Sequence, residues 1–336
     1  MILWQKSNSQ RKTALLLMSV TLLCFSGNTV VEESKAECVM ELNSRRVLYE
    51  SHGDLRLPMA STTKIVTAAT VLETCENIEE KVTISHNSEG IEGSSVYLKE
   101  GEVYTVEALL YGLMLRSGND CAVSLATYCS NSVEDFCIKM NETAQKAGAL
   151  NSSFQNPHGL PSNGHYTTAY DLSAISCYAM QIPKFREIVS TRYYEPYHWQ
   201  NKNKMLFRYD GGIGIKTGYT KEAGRCLVTA AEKEGMTLIC TVLNCPTMYE
   251  RTTKLLDDAF ASYKNVKLLS YGQVFNVEKC NAESRAEFFY PLLKEEKDLL
   301  EYKIVASKSN TDKEILGQLE IRLAKRLLFS TNLYKL

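Results

Sequence analysis

The chain has 336 residues, enough for two domains or one large one, and its 44% apolar and 23% charged residues are ordinary for a soluble protein with a full core. Its formal net charge of -1 at pH 7, without a basic stripe, argues against nucleic acid as a partner. The 11 cysteines lack both zinc-ligand spacing and the dense pattern of a disulfide scaffold. We therefore expect no metal site and no cofactor, and free buried thiols where cysteines such as Cys240 fall in apolar segments.

The N-terminus reads as an export signal. Lys6, Arg11 and Lys12 precede a short apolar run over residues 14–25. That run is shorter than the roughly 20 residues of a comfortable membrane span. The sequence predicts a signal peptide over residues 1–28 and an exported, extracytoplasmic protein, either secreted or held at the outer face of the cytoplasmic membrane or in the cell wall. The cleavage site stays open, and an uncleaved anchor giving loose membrane association is the alternative.

A hairpin follows, with strands over 38–42 and 47–50. Next, Ser61 and Lys64 stand three residues apart, immediately before an apolar run over 65–72 that predicts a buried helix. Residues at this spacing share a helix face, and an amine with a lowered pKa can take the proton of a serine nucleophile. The alternative is that Ser61 is an ordinary helix N-cap.

The middle of the chain predicts two short strands, over 81–84 and 95–98, and then a helix over 106–115 capped by Thr105. A second helix over 121–129 starts almost at once. Ser117 and Asn119 therefore lie on a tight connection between two helices, which can present both side chains into a cleft.

Several helices and strands complete the predicted pattern up to residue 263. The helices span 133–149, 168–180 and 251–263, and strands over 225–231 and 236–243 place Lys216, Thr217 and Gly218 on an antiparallel sheet. His158 and His165 lie in turn-rich loops, where a structural role is the more common one. From residue 264 short alternating strands predict a small C-terminal β domain, 264–336, without a basic amphipathic helix that would indicate a C-terminal membrane anchor.

Three motifs occur in order: Ser61-x-x-Lys64, Ser117-x-Asn119 and Lys216-Thr217-Gly218. This trio is typical of β-lactamases and penicillin-binding proteins. From about residue 30 onward the chain resembles the low-molecular-mass penicillin-binding proteins that act as serine-type D-alanyl-D-alanine carboxypeptidases, and within them the branch of spore-forming Gram-positive bacteria.

The resemblance implies the α+β class and two domains. A β-lactamase/transpeptidase-like domain over residues 29–263 would have an antiparallel sheet with helices on both faces and a helical subdomain, followed by the small all-β C-terminal domain. It also implies that the enzyme removes the terminal D-alanine from peptidoglycan stem peptides ending in D-Ala-D-Ala and that β-lactam antibiotics inhibit it.

The resemblance, together with the chemistry of these side chains, implies the catalytic roles. Ser61 would attack the carbonyl of the penultimate D-alanine and form an acyl-enzyme. Lys64, kept neutral by the nearby positive charge of Lys216, would take the Ser61 proton. Ser117 would relay a proton to the departing amine.

The resemblance to this family also implies which residues bind the substrate. Asn119 would hold a backbone carbonyl of the substrate, and Lys216 and Thr217 would bind its terminal carboxylate. The backbone N–H groups of Ser61 and Tyr219 would form the oxyanion hole.

Two other functions stay open on the sequence. One is a catalytically weak protein that binds penicillin or peptidoglycan. The other is a β-lactamase, although no Glu-x-x-Leu-Asn motif lies between the second and third motifs to activate a deacylating water. Ile213 stands where many members of the family have aspartate, which leaves local substrate preference open. Whether the substrate is vegetative wall or spore cortex is likewise open.

Overall fold

The computed structural model describes residues 34–307 and 314–336, so the predicted signal peptide lies outside the described residues. Among the described residues no helix is both long and apolar enough to cross a membrane. The helices, in chain order, are α1 (Lys64–Thr74), α2 (Val106–Tyr111), α3 (Asn119–Cys129), α4 (Val133–Lys146), α5 (Ala169–Ala179), α6 (Pro183–Ser190), α7 (Met205–Arg208) and α8 (Met248–Ser262).

The strands up to α8 are β1 (Ala36–Glu41), β2 (Val47–Ser51), β3 (Lys81–Thr83), β4 (Val103–Thr105), β5 (Tyr193–Tyr194), β6 (Trp199–Gln200), β7 (Gly212–Thr220), β8 (Gly224–Lys233) and β9 (Met236–Leu243). The strands after α8 are β10 (Lys264–Leu269), β11 (Val274–Val277), β12 (Cys280–Ser284), β13 (Phe288–Leu292), β14 (Leu300–Ala306), β15 (Ile315–Leu323) and β16 (Arg326–Lys335).

A five-stranded antiparallel sheet, in the order β2-β1-β9-β8-β7, lies at the centre of residues 34–262. Helices cover both of its faces. Leu238, Cys240 and Val242 pack with residues of α8, whereas Ile239 and Leu243 belong to the larger core on the other side. Every residue of β9 is buried because both faces are covered, which explains its nearly continuous apolar sequence.

The larger core surrounds α1. Eight consecutive residues of this helix, from Lys64 to Val71, are buried. Helices α3, α4 and α5 pack around it. Helix α1 therefore carries Lys64 into the interior, between the sheet and the helical part of the molecule.

Thr105 caps α2 as predicted. Its hydroxyl accepts the N–H of Ala108.

The strand predicted over residues 95–98 is wrong. β3 pairs with β4 instead. The backbone N–H groups of Val96 and Leu98 donate to one carboxylate oxygen of Asp120, at 3.0 and 3.1 Å. A buried side chain thus satisfies donors that a strand would give to its neighbour, and this long-range contact leaves no local sequence pattern.

Residues after α8 form a second group of strands. β10 pairs with β13, and a five-stranded sheet has the order β11-β12-β16-β15-β14. The expectation of strands from residue 264 onward is confirmed by β10 to β16. An apolar cluster of its own fills this region. Its status as an independent domain stays a prediction.

The cysteines agree with the expectation drawn from their apolar surroundings. Six cysteines of the described residues are buried free thiols: Cys38, Cys121, Cys137, Cys177, Cys226 and Cys240. Cys240 is fully buried in β9, and burial raises the pKa of its thiol well above the ordinary value. These thiols therefore pack as small apolar side chains.

Candidate active site

Ser61 lies in a tight turn immediately before α1. Residues Ala60–Thr63 form a 3-10 turn, and Ala60 has a left-handed backbone with φ of 50°. Gly159 packs directly on this turn, since a Cβ at that position would lie 2.0 Å from the carbonyl oxygen of Ala60. Because a left-handed alanine is unfavourable, the surrounding contacts must hold the turn that presents Ser61.

Lys64 contacts Ser61 directly. Its Nζ lies 3.0 Å from Ser61 Oγ, 2.6 Å from Asn119 Oδ1 and 2.7 Å from the carbonyl oxygen of His158. The side chain is fully buried, and that burial, followed by the charge of Lys216, holds the pKa of Lys64 well below its ordinary value.

The three contacts of Lys64 can be satisfied by a neutral amine, the form that its lowered pKa favours. Asn119 Oδ1 and the His158 carbonyl can only accept, so they take its two N–H groups. The remaining lone pair then faces the Ser61 hydroxyl. Lys64 is thus held in the geometry of a general base for Ser61.

Ser117 and Asn119 lie together, as their position between two helices predicted. α2 continues as a π-helix over Gly112–Arg116, and Ser117 follows with φ of 66° and ψ of 31°. Ser117 is 5% exposed and Asn119 is 3% exposed. Asn119 Nδ2 donates one N–H to the carbonyl oxygen of Glu92 at 2.5 Å, and an amide nitrogen has a second N–H to offer.

Lys216, Thr217 and Tyr219 lie on β7, the edge strand of the central sheet. Lys216 is 1% exposed, and its Nζ donates to the carbonyl oxygen of Thr217 at 2.8 Å. Burial, followed by the charge of Lys202, lowers the pKa of Lys216 to about 7. Thr217 and Tyr219 instead face an open cavity.

Gly218 allows β7 to approach the Ser61 turn. A Cβ at Gly218 would lie 3.0 Å from both the Ser61 nitrogen and the Met59 carbonyl oxygen. Any larger residue would push the strand away from the turn. The close approach brings the backbone of Ser61 next to β7, where Tyr219 follows Gly218.

A cavity of about 430 Å³ joins these elements. Of the residues predicted for the site, Ser61, Ser117, Thr217 and Tyr219 line it, while Lys64, Asn119 and Lys216 lie behind its wall. Its lining also includes residues that the sequence analysis missed: Ser94, Lys202, Arg225, Met248 and Tyr249. None of these belongs to a motif, and they come from separate loops, a strand and a helix, so only the folded chain assembles them.

The two loop histidines contact the catalytic turn from outside the cavity. His165 Nδ1 accepts the N–H of Gln155 at 3.0 Å, and its Nε2 lies 2.9 Å from Thr63 Oγ1. Burial lowers the pKa of His165 to about 4, and burial together with the Lys64 charge lowers the pKa of His158 to about 4. Both rings are therefore neutral at pH 7. The His165 ring contacts Thr63 beside Ser61, whereas His158 contacts Lys64 through its backbone carbonyl.

Known proteins are similar to this chain in sequence. Residues 27–247 match the model of the family described as D-alanyl-D-alanine carboxypeptidase. The D-alanyl-D-alanine carboxypeptidase DacF of Bacillus subtilis is 34% identical over 292 residues, which cover 79% of this chain and 74% of the relative. The D-alanyl-D-alanine carboxypeptidase of a Streptomyces species is 35% identical over 278 residues, which cover 74% of this chain and 96% of the relative.

The likeness extends to solved structures. Penicillin binding protein 5 from Haemophilus influenzae has a TM-score of 0.77 at 26% identity, over 90% of this chain and 96% of that chain. The expected α+β, β-lactamase/transpeptidase-like fold is thereby confirmed. By its sequence, its fold and its arrangement of Ser61 and Lys64, the chain belongs to the D-alanyl-D-alanine carboxypeptidase family.

Proposed function

We propose that this chain is a serine-type D-Ala-D-Ala carboxypeptidase that removes the terminal D-alanine from peptidoglycan pentapeptide stems through an acyl-enzyme on Ser61. The observation that carries the proposal is the contact between Ser61 Oγ and the fully buried Lys64 amine, whose pKa is held well below its ordinary value by burial and by the charge of Lys216. This pair supplies both parts of nucleophilic catalysis, a hydroxyl and a base poised to deprotonate it.

Acylation follows from that contact. Ser61 Oγ bonds to the carbonyl carbon of the penultimate D-alanine while its proton passes to Lys64 Nζ. The peptide C–N bond then breaks, and the proton reaches the departing D-alanine nitrogen by way of Ser117. In a second step water attacks the ester carbonyl carbon and gives a proton to Lys64. Lys64 passes this proton to Ser61 Oγ as the ester C–O bond breaks, so the shortened peptide leaves with a new carboxyl group and both side chains return to their starting forms.

Binding roles follow from the remaining polar groups. The second N–H of Asn119 Nδ2 holds a substrate backbone carbonyl. Lys216 and Thr217 bind the terminal carboxylate, and the backbone N–H groups of Ser61 and Tyr219 stabilise the oxyanion. The Gly218 approach supports this last role, because it brings the two backbones together.

β-Lactams fit the same chemistry, because their strained amide takes the place of the scissile bond and leaves Ser61 as a slowly hydrolysed ester. The substrate is extracytoplasmic, so the proposal includes export by the signal peptide over 1–28, with loose membrane association if that segment is retained. It further includes the peptidase domain, 29–263, and a C-terminal domain, 264–336, that acts as a spacer or interaction platform.

The test is D-alanine release from diacetyl-Lys-D-Ala-D-Ala by the exported form and by Ser61→Ala, with and without penicillin. Release that requires Ser61 and is blocked by penicillin is the expected result. A penicillin adduct at Ser61 without any release would point to a binding protein. Fast penicillin hydrolysis would instead point to a β-lactamase.

A further inference from the structure

We propose that Arg225 binds the terminal carboxylate of the substrate and thereby makes the site selective for a free C-terminus. Arg225 belongs to none of the three motifs, yet it lines the cavity that holds Ser61 and Thr217. The inference rests on the function proposed above and names a residue that the motifs do not supply.

The register of the sheet places Arg225 beside the two cavity residues of β7. Arg225 lies directly opposite Tyr219, and Leu227 lies opposite Thr217. Residues opposite each other share a face of the sheet, so Arg225 is also the diagonal neighbour of Thr217, within reach of a long side chain. A carboxylate bound at the Thr217 hydroxyl would therefore also meet the Arg225 guanidinium.

The guanidinium is free to take an anion. Within the described residues Arg225 has no acidic partner, and its side chain is exposed where the cavity opens. A guanidinium is always protonated and offers two parallel N–H groups to one carboxylate. An arginine without a partner at the mouth of a catalytic cavity thus has the charge and shape of a carboxylate anchor.

Neither of the other two cations replaces it. Lys216 lies behind the cavity wall, and its amine, which also donates to the Thr217 carbonyl oxygen, can contact the carboxylate only as a single nitrogen. It can therefore assist at the carboxylate but cannot offer the two parallel N–H groups of a guanidinium. Lys202 does line the cavity, but its Nζ lies 3.4 Å from Ser94 Oγ and its N–H donates to Leu115. Lys202 is therefore held against the side of the cavity that bears Ser117, whereas Arg225 stands on the side of β7.

The experiment compares two substrates that differ only in charge, diacetyl-Lys-D-Ala-D-Ala and its C-terminal carboxamide. We expect Arg225→Gln to lower kcat/KM for the free acid by about tenfold to a hundredfold, as for a lost charge-assisted pair, and to change carboxamide cleavage little. Arg225→Lys should recover part of the loss. The matched control is Lys221→Gln, an exposed cation of the same hairpin outside the cavity, which should keep the acid-to-amide ratio of the wild type.

An unchanged acid-to-amide ratio in Arg225→Gln would overturn the inference, and equal loss on both substrates would assign Arg225 a structural role only. If the wild type cleaves neither peptide, the proposed function fails instead. The comparison of a free carboxylate with an uncharged group can then be made with benzylpenicillin and its methyl ester, by measuring acylation of Ser61 by mass spectrometry. Arg225→Gln should lose the preference for the free acid there as well, and a retained preference would again contradict the inference.

Discussion

Residues 34–262 and residues 264–336 bury different kinds of side chain. In the first region Lys64 and Lys216 are almost completely buried, together with many hydroxyls, amides and carboxylates. In the second, Ser284 is the one polar residue of the described residues that is buried as a whole, and the core consists of residues such as Leu269, Leu319 and Leu333. Burial of a titratable amine is unfavourable, and both buried lysines belong to the site proposed around Ser61, which supports a role for them in the proposed catalysis.

The largest expected effect comes from removing the buried Lys64 amine, the base of the proposed mechanism. Lys64→Met should lower acylation of Ser61 by a fluorescent penicillin about 1,000-fold or more, because Ser61 would lose its base. The control is Lys254→Met, an exposed lysine of α8, which should acylate at the wild-type rate. Acylation of Lys64→Met within tenfold of the wild type would contradict the assignment of Lys64 as base.

Acid should distinguish the two regions. The pKa values of His158 and His165 are lowered to about 4 from an ordinary 6.5. Between these values the unfolded chain binds protons that the folded chain does not, so stability is full above pH 6.5 and falls as the pH drops towards 4, by about 3 kcal/mol for each ring.

Urea unfolding at pH 7 and pH 4.5 measures this loss, and hydrogen exchange locates it. Exchange should increase in residues 34–262 before it does in 264–336. The stability of His165→Asn should depend less on pH than that of the wild type. The control, His52→Asn at an exposed turn, should keep the pH dependence of the wild type. Equal slopes in the wild type and His165→Asn would contradict the prediction.

Arg46 connects the two regions. Its guanidinium donates to Glu296 at 2.5 and 2.9 Å and to the Pro291 carbonyl oxygen at 2.7 Å, and it lies 5.1 Å from the ring centres of both Tyr263 and Tyr290. Arg46→Ala should therefore cost about 2 kcal/mol of stability, the range of charge-assisted hydrogen bonds, while penicillin acylation stays unchanged.

Limited proteolysis checks this prediction, because a loosened contact should speed cleavage near residue 263. A double-mutant cycle with Glu296→Ala separates the ion pair from the ring contacts. Loss of acylation in Arg46→Ala would show that the contact also shapes the catalytic cavity.

The smallest effect should come from an exposed charge at the cavity. The charge of Lys202 contributes to the lowered pKa of both Lys64 and Lys216. In Lys202→Gln both pKa values should rise, so the acid limb of kcat/KM moves to higher pH, since Lys64 must be neutral to act. High salt should make this pH shift smaller, because it screens the charge of Lys202. The control is Lys204→Gln, which changes the next lysine of the same loop, outside the cavity, and should leave the acid limb at the wild-type pH. An unmoved acid limb would contradict the prediction.

Sequence alone determined the elements that local patterns specify. The apolar run after Lys64 predicted α1, and the turn at Gly118 placed Ser117 and Asn119 between two helices. Two short, mostly apolar runs on either side of a polar turn predicted β8 and β9. Short-range periodicity and turn-forming residues act within a few positions of the chain, so they can be recognised from the sequence without knowledge of the fold. The three motifs could be assigned to one site because each lay in such an element.

Tertiary structure decided what depends on contacts between distant residues. The Asp120 carboxylate takes the N–H groups of Val96 and Leu98, so no strand forms there. Packing also buries Lys64 and Lys216, which sets their pKa values, and it brings Arg225 and Lys202 into one cavity. Desolvation and Coulomb interactions depend on distance in space rather than along the chain, so no local pattern records them.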